Sequence, residues 1–396
     1  MRRLSLAVLA LMGLTACSSS SPSTSTAALA LAGHTGAVST DSYAPWPQAG
    51  HDGRRSGASS STGPRTAALR WTRKLEGNVT PGPVIGPGGV IYAASNEGTL
   101  HALDPKTGLD RWTFTPGSGY GIDLSTSPAV LANGTVLWPG PGALYALDPT
   151  GKLLWKEALS GPTSPALDGN RVVIGSQGGT VEAIDVPTHT ILWKADLGES
   201  GYGSVALSPT DPHRAYQTAG THLFALDDGK VAWKQDLGDT SEVSPAVAAD
   251  GTVIAASNNP LTRAFSPAGK QLWSYDRHAE TYSSPVVTGD GIAYFGDHHA
   301  VVTGVDVATG KVVARYQGPT QKPKDGRSIG IWTSPVIDST HAVYWGSRSG
   351  HLHAVDAAGK VLFDLDTGAT IDSYPALGDG LLVVGVTDGR LLAVGA

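Results

Sequence analysis

A segment of about 40 residues recurs along this chain, and a repeat of that period limits the fold more than any other property of the sequence. Ala102-Leu103-Asp104-Pro105-Lys106-Thr107-Gly108 leads to Trp112, and Ala146-Leu147-Asp148-Pro149-Thr150-Gly151 leads to Trp155. The run returns as Ala183-Ile184-Asp185 before Trp193, Ala225-Leu226-Asp227 before Trp233 and Ala264-Phe265-Ser266 before Trp273. Two later copies are degenerate: Gly304-Val305-Asp306 ends at Ala314, and Ala354-Val355-Asp356 ends at Phe363. Each copy follows a proline-led apolar segment and a second β-rich segment, as in Pro83-Val84-Ile85 and Val90-Ile91-Tyr92-Ala93; the prolines recur at Pro128, Pro165, Pro245, Pro285, Pro335 and Pro375. Short apolar and β-branched runs broken by Gly and Asn, without a sustained 3.6-residue period, predict four strands per repeat. Such units are the blades of a β-propeller.

The Trp-position residues 71, 112, 155, 193, 233, 273, 314 and 363 number eight. The chain is therefore expected to be all-β, an eight-bladed propeller of four-stranded antiparallel blades over residues 45–396. Trp71 precedes any complete blade, while the last repeat ends at Leu391-Leu392-Ala393-Val394 without a fourth strand. Leu69-Arg70-Trp71 is expected to supply that strand and close the ring, which removes an exposed edge. The repeated Asp and Gly belong to the turn between the third and fourth strands, where Asp caps backbone N–H groups and Gly takes a positive φ. The Trp is expected to pack between blades, an aromatic of its size burying about 150–250 Å².

The N-terminal end carries different signals. Met1-Arg2-Arg3 is followed by an apolar run to Leu14 and by Thr15-Ala16-Cys17, the pattern of a secretory signal over residues 1–16. Leu14-Thr15-Ala16-Cys17 resembles a bacterial lipobox, which implies acylation of Cys17, the only cysteine in the sequence. Acyl chains hold a protein on a membrane by about 0.8 kcal/mol per buried CH₂. Residues 17–44, dominated by Ser, Thr, Ala and Gly, read as a flexible tether. No later run is long and apolar enough to cross a bilayer as a helix. Loss of residues 1–16, which hold Arg2 and Arg3 and no acid, takes the formal charge from −6 to −8. That balance disfavours non-specific binding to nucleic-acid phosphates.

The pattern Ala-x-Asp-x-x-Thr-Gly-x-x-x-Trp resembles the repeats of the quinoprotein-like propeller family, over essentially residues 45–396. Trp46-Pro47-Gln48-Ala49-Gly50-His51-Asp52, with Gly57 shortly after, is similar to that family's N-terminal lead-in. With a lipobox and eight blades, the chain most resembles the BamB-type outer-membrane assembly lipoproteins. This resemblance implies a non-catalytic scaffold on the periplasmic face of an outer membrane, monomeric within a complex, with envelope proteins such as the β-barrel assembly machinery as partners. It also implies docking through inter-blade loops, one bearing acids before a Thr-Pro strand start. Here Ile122-Asp123-Leu124-Ser125-Thr126-Ser127-Pro128 keeps Asp123, and Ser125 stands in place of the second acid. Other readings are an envelope module binding polysaccharide, peptide or nucleic acid, and a pyrroloquinoline-quinone dehydrogenase. Relatives that bind the quinone often carry adjacent cysteines and a calcium site of carboxylates and an amide. The mature chain has no free thiol once Cys17 is acylated, and no cofactor is expected.

Few residues suggest other chemistry. Asp297-His298-His299 and the pair His351 and His353 are the nearest approach to a metal cluster, but adjacent residues of a strand point to opposite faces and two imidazoles do not make a zinc site. They read as polar turn and strand-surface histidines, and neither metal ligands nor catalytic residues are assigned. The Gly-rich strings Gly86-Pro87-Gly88-Gly89 and Gly175-Ser176-Gln177-Gly178-Gly179 do not open helices and read as hairpin turns.

In an antiparallel blade, the turn after strand two and the connection after strand four emerge at one end, and the Asp-Gly turns at the other. The first end is the variable one. It gathers Asp123, Arg348, the long segment 318–331 with Lys322, Lys324 and Arg327, and the aromatics Tyr282 and Trp332. Each aromatic lies three residues before a strand-one proline, Pro285 and Pro335, so the two are expected at equivalent sites of neighbouring blades. Aromatics beside Arg or Lys are common binding hot spots, and these residues are the candidate partner-binding set. Because anchor and tether precede the repeat, Cys17→Ala is expected to release the protein from the membrane fraction while its thermal unfolding stays unchanged. Fractionation followed by a melting curve checks both halves.

Overall fold

The computed structural model describes residues 45–117, 126–318 and 326–395, and every structural statement below concerns these residues. Cys17, the tether, Asp123, Lys322 and Lys324 lie outside them. The described strands form eight antiparallel sheets of four strands each. Blade 1 comprises Val84–Ile85, Ile91–Ala94, Leu100–Leu103 and Asp110–Phe114. Blades 2 to 7 repeat this over residues 129–158, 166–196, 206–236, 246–276, 286–317 and 336–366. Blade 8 comprises Ala376–Gly378, Leu381–Gly385 and Arg390–Val394, completed by Leu69–Lys74 from the other end of the sequence. Its innermost strand lies against that of blade 1, so the eight sheets form a closed ring.

The burial pattern follows from that arrangement. Strands two and three are buried at every position in blades 1 and 2 and at most positions in the others, because each blade is covered on both faces by its neighbours, whereas fourth strands such as Leu153–Ala158 alternate between exposed and half-buried. The core is accordingly a series of inter-blade layers, for example the layer in which Phe114 of blade 1 meets Trp138 of blade 2 edge-on, ring centroids 6.1 Å apart.

Register explains the repeated Ala. In every blade the small third-strand residue of the motif pairs across to the Trp position: Ala102 to Trp112, Ala146 to Trp155, Ala183 to Trp193, Ala225 to Trp233, Ala264 to Trp273. The degenerate copies keep the pairing, Gly304 to Ala314 and Ala354 to Phe363. A one-residue register shift follows each time, directly before the Asp turn, and a bulge of this kind raises the local twist. In blade 8, Ala393 pairs with Trp71. The expected closing strand is thus in place and in the register of the other seven.

The Trp side chains couple blades rather than residues within a blade. Trp71 donates its indole N–H to the Pro105 carbonyl of blade 1, Trp112 to Pro149, Trp155 to Val186, Trp233 to Pro267 and Trp273 to Val307, at 2.6–3.0 Å. Each acceptor follows the Asp (Ser266 in blade 5) of the next blade's turn. The Asp accepts backbone N–H groups as expected, Asp104 from Lys106 and Thr107 at 3.0 and 3.1 Å. A hydrogen bond from Arg111, with these backbone donors, holds the Asp104 carboxyl below its ordinary range. Gly108 takes φ +67, and a Cβ there would lie 2.7 Å from the Trp71 ring. Blade 3 places His189 at that position, at φ +53, with its ring stacked 4.3 Å from that of Trp155 and Nε2 3.0 Å from Glu157.

The lead-in before the closing strand crosses the channel at the Asp-Gly end. Its carbonyls accept the last amides of the innermost strands, Pro47 from Val130, Gly53 from Leu207, Arg54 from Val247 and Gly57 from Ile337, at 2.8–2.9 Å. Trp46 bonds Ile85 in both directions, and the Gln48 side chain accepts the Leu167 N–H at 2.8 Å. Deleting residues up to Trp71 therefore removes the fourth strand of blade 8 and the plug together. The truncated chain is expected to melt at least 10 °C below the intact mature chain, on the rule that about 1 kcal/mol moves the midpoint by roughly 2–4 °C in a domain of 150–250 residues; an unchanged midpoint would refute the closure.

Candidate binding site at the open end of the channel

With one end plugged, the channel is blind. A cavity of about 590 Å³ occupies the other end, that of the inter-blade connections. Its wall repeats with the blades. The residue before the strand-one proline position is Ser127, Ser164, Ser204, Ser244, Ser284 and Ser334 in blades 2 to 7, and these serines form a belt. Backbone N–H groups of Ser127, Ser164, Ser204 and Ser244 each donate to the hydroxyl of the serine in the next blade, at 2.9–3.0 Å. Blade 8 has Tyr374 at this position, and blade 1 has Gly82, where a Cβ would lie 2.8 Å from the Ser127 hydroxyl.

The floor is Arg55 of the lead-in, 5% exposed, beside Tyr374. Its Nε donates to the Val205 carbonyl at 2.8 Å, Nη2 to Ser164 at 3.0 Å and Nη1 to Ala49 at 3.2 Å. Burial pushes its pKa down to about 10, against the fields of Tyr374 and Asp52, so it stays charged at neutral pH. Burial likewise raises the Tyr374 phenol, opposed by a hydrogen bond with Ser284 and the charge of Arg55.

The rim comes from the residues three before the strand-one proline position: Thr80, Pro162, Tyr202, Glu242, Tyr282, Trp332 and Asp372 all line the cavity. The expected neighbours Tyr282 and Trp332 meet with ring centroids 4.6 Å apart. Both are half-buried rather than free, because His298 packs 5.2 Å from Tyr282 and 6.1 Å from Trp332. Arg348 lies over the other side of the cluster, its guanidinium 3.7 Å from a Trp332 ring centroid and its Nε 3.4 Å from Asp372. Arg327 sits over the Gly350 backbone in the turn that carries Arg348. Tyr282, Trp332, Arg348 and Arg327 are thus gathered on blade 6 and blade 7. Sequence reasoning missed Arg55, Tyr374, Tyr202, Glu242 and Asp372, although the three-before-proline rule, applied around the whole ring, points to Glu242 and Asp372.

The histidines depart from the surface reading. His298 belongs to the aromatic cluster, and burial lowers its pKa. His353 is buried, 5.0 Å from the Trp345 ring and stacked on His351, and both histidines face Asp364, at 3.4 and 2.7 Å. Among the described residues no three His, Cys, Asp or Glu side chains converge on a metal-sized point.

Family comparison adds to this geometry. The family model described as outer membrane protein assembly factor BamB matches residues 56–123, 118–212 and 177–396. The chain belongs to the BamB family. BamB of Burkholderia pseudomallei is 28% identical over 331 residues, 76% of this chain and 81% of that protein. Tetrathionate hydrolase of Acidithiobacillus ferrooxidans is 27% identical over 64% of this chain and 58% of its own length. Among solved structures, BamB from Moraxella catarrhalis superposes with a TM-score of 0.62 at 17% identity, covering 83% of this chain and 99% of that one. Quinohemoprotein alcohol dehydrogenase from Comamonas testosteroni superposes at 0.63 and 17% identity, covering 88% and 80%. At that identity the superpositions show the shared propeller fold alone.

The quinone of such enzymes is a tricarboxylate. The cavity would offer it one buried guanidinium already holding three carbonyls and would face it with Glu242 and Asp372, so this donor set does not fit the group.

His353 supplies a pH test. Burial lowers its pKa from 6.5 to about 4, with Asp364 opposing and His351 adding to the shift. The unfolded chain then takes up a proton below pH 6.5 that the folded chain refuses until about pH 4. Stability from this group is complete above pH 6.5 and falls towards pH 4, by on the order of 1–3 kcal/mol. His353→Gln is expected to flatten that part of a stability profile measured by denaturant titration from pH 4 to 7.5; an unchanged slope would contradict it.

Proposed function

We propose that this BamB-family protein is an exported, lipid-anchored and non-catalytic scaffold that serves the assembly of outer-membrane β-barrel proteins. In this reading Cys17 carries the anchor on the periplasmic face of the outer membrane, the tether gives the propeller reach, and the β-barrel assembly machinery is the partner. The match to the BamB family model across nearly all of the propeller is the observation that carries it. The site chemistry agrees with a binding role. Tyr282, Trp332 and Arg348 form a packed aromatic and cationic surface on two neighbouring blades, with Arg327 against the turn that carries Arg348, and half-buried aromatics with Arg are the residue types that dominate protein interfaces. Docking takes place at this open end, since the lead-in fills the other.

The test is affinity capture from envelope extract with the intact chain and with Tyr282→Ala/Trp332→Ala. The intact chain is expected to recover components of the barrel-assembly machinery. The double variant is expected to lose most of them while giving up about 1–2 kcal/mol of stability, far from enough to unfold the ring. Full recovery by the double variant would contradict docking at this cluster, and recovery of no assembly component by the intact chain would contradict the function.

A further inference from the structure

Among the described residues, every exposed large hydrophobic side chain except Tyr202 lies one to three positions before a Trp position of a fourth strand. A fourth strand starts at the Asp-Gly end, so these side chains form a belt around the outer wall at that end. The belt is uneven. Blades 2 and 3 each expose two aliphatics, Leu153 with Leu154 and Ile191 with Leu192, at 41–52%, whereas in blade 6 Ala314 replaces the Trp and Val312 and Val313 are half-buried. Trp155 joins the two pairs into one patch: its ring stacks on His189 at 4.3 Å and its indole N–H donates to the Val186 carbonyl at 3.0 Å, both on the turn that leads into Ile191. Trp155 and Trp193 are half-buried, and Lys152, Lys156 and Lys194 are exposed around them. The turn acids here are engaged by the backbone, Asp148 accepting the N–H groups of Thr150 and Lys152, and Asp185 that of Thr188.

We infer that this shoulder of blades 2 and 3 rests on a lipid bilayer surface, its aliphatics at the acyl boundary and its lysines among the headgroup phosphates. The inference rests on the anchor in the reading above and gives the anchored propeller an orientation. Aliphatics, half-buried Trp and flanking Lys in one patch are the residue types that settle at a membrane interface, since Trp joins an apolar body to a polar edge and Lys carries its charge on an apolar stem. The path of the chain selects a bilayer over a soluble partner. Segment 17–44, which carries the anchor in that reading, joins the propeller at Pro45 and Trp46, and Trp46 bonds Ile85 at the Asp-Gly end. The belt and the point of attachment thus lie at the same end, and docking there turns the open end of the channel away from the bilayer. A tethered shoulder meets the surface at a high effective concentration, so a contact too weak to retain the free protein suffices to orient the anchored one.

Co-sedimentation with vesicles of phosphatidylethanolamine and phosphatidylglycerol tests the contact by itself, using the chain without residues 1–16 and with Cys17→Ala, which has neither leader nor anchor. Saturable binding is expected at millimolar lipid, with Trp fluorescence quenched by lipids brominated on the acyl chains. Leu154→Glu/Leu192→Glu is expected to weaken binding about tenfold or more, the scale of moving one aliphatic side chain out of water. Lys152→Gln/Lys156→Gln is expected to weaken it several-fold and to remove most of its salt dependence. All four side chains are exposed, so unchanged melting curves are expected and any loss of binding reports on the shoulder. No binding at millimolar lipid, no quenching, or equal binding by Leu154→Glu/Leu192→Glu would each overturn the proposal. Self-association abolished by that double variant, without vesicle binding, would assign the shoulder to a second copy and overturn it as well. Fractionation of the acylated chain separates this failure from that of the anchor: retention through Cys17 with no vesicle binding by the Cys17→Ala chain leaves the anchor standing and removes the shoulder contact, and vesicle binding without retention through Cys17 does the reverse.

Discussion

The pairing of Ala393 with Trp71 holds the rest of the structure together. A ring of eight sheets is stable only if its last sheet is completed, and here the completing strand comes from the other end of the sequence. Its register is the one used by the other blades, with a buried small residue opposite the Trp position and the Trp71 indole bonded forward to Pro105 of blade 1. The same forward bond, from one blade's Trp to the next blade's turn, recurs at four other interfaces, so neighbouring blades are bonded through polar contacts as well as through the apolar layers between them.

Bringing the N-terminal segment to blade 8 has a second consequence. The residues before it cross the channel, and their carbonyls take up amides on the inward edges of the innermost strands, groups that an open channel would leave to water. This makes the two ends of the propeller chemically unlike. One end shows Asp-Gly turns of nearly uniform sequence around a filled channel. The other keeps a cavity with a charged floor, a hydroxyl belt and a rim on which, among the described residues, seven of the eight blades each place one side chain. Variation in that single rim position, from Thr and Pro through Tyr and Trp to Glu and Asp, gives the ring a specific face without disturbing the repeat that builds it.

Most of the architecture was legible in the sequence because its determinants are local and repeated. A turn Asp, a glycine at positive φ under a Trp and a small residue opposite that Trp are each decided within a dozen residues, so the period exposed eight blades and the closing role of Trp71. The site was legible only in part. Tyr282 and Trp332 could be placed together from their spacing to Pro285 and Pro335, whereas Tyr202 escaped because Val205 stands where the strand-one proline would be. Glu242 and Asp372 obey the spacing but are neither aromatic nor cationic. Arg55 was out of reach for a different reason: its partners Ser164 and Val205 lie 109 and 150 residues away, and nothing local to the lead-in announces them. The sequence marks His353 only as a polar strand residue; in a propeller the third strand is covered on both faces, and the residue two positions from a half-exposed His351 is buried.

The central claim is that partners engage the open end alone. Hydrogen–deuterium exchange on the intact chain, with and without the barrel-assembly machinery, tests it most directly. The account predicts slowed exchange in the inter-blade connections that carry Tyr202, Glu242, Tyr282 and Trp332 and in the turn of Arg348, with no change in the Asp-Gly turns or the outer strands. Protection at the Asp-Gly turns or along the outer strands, with the open-end connections unaffected, would contradict it.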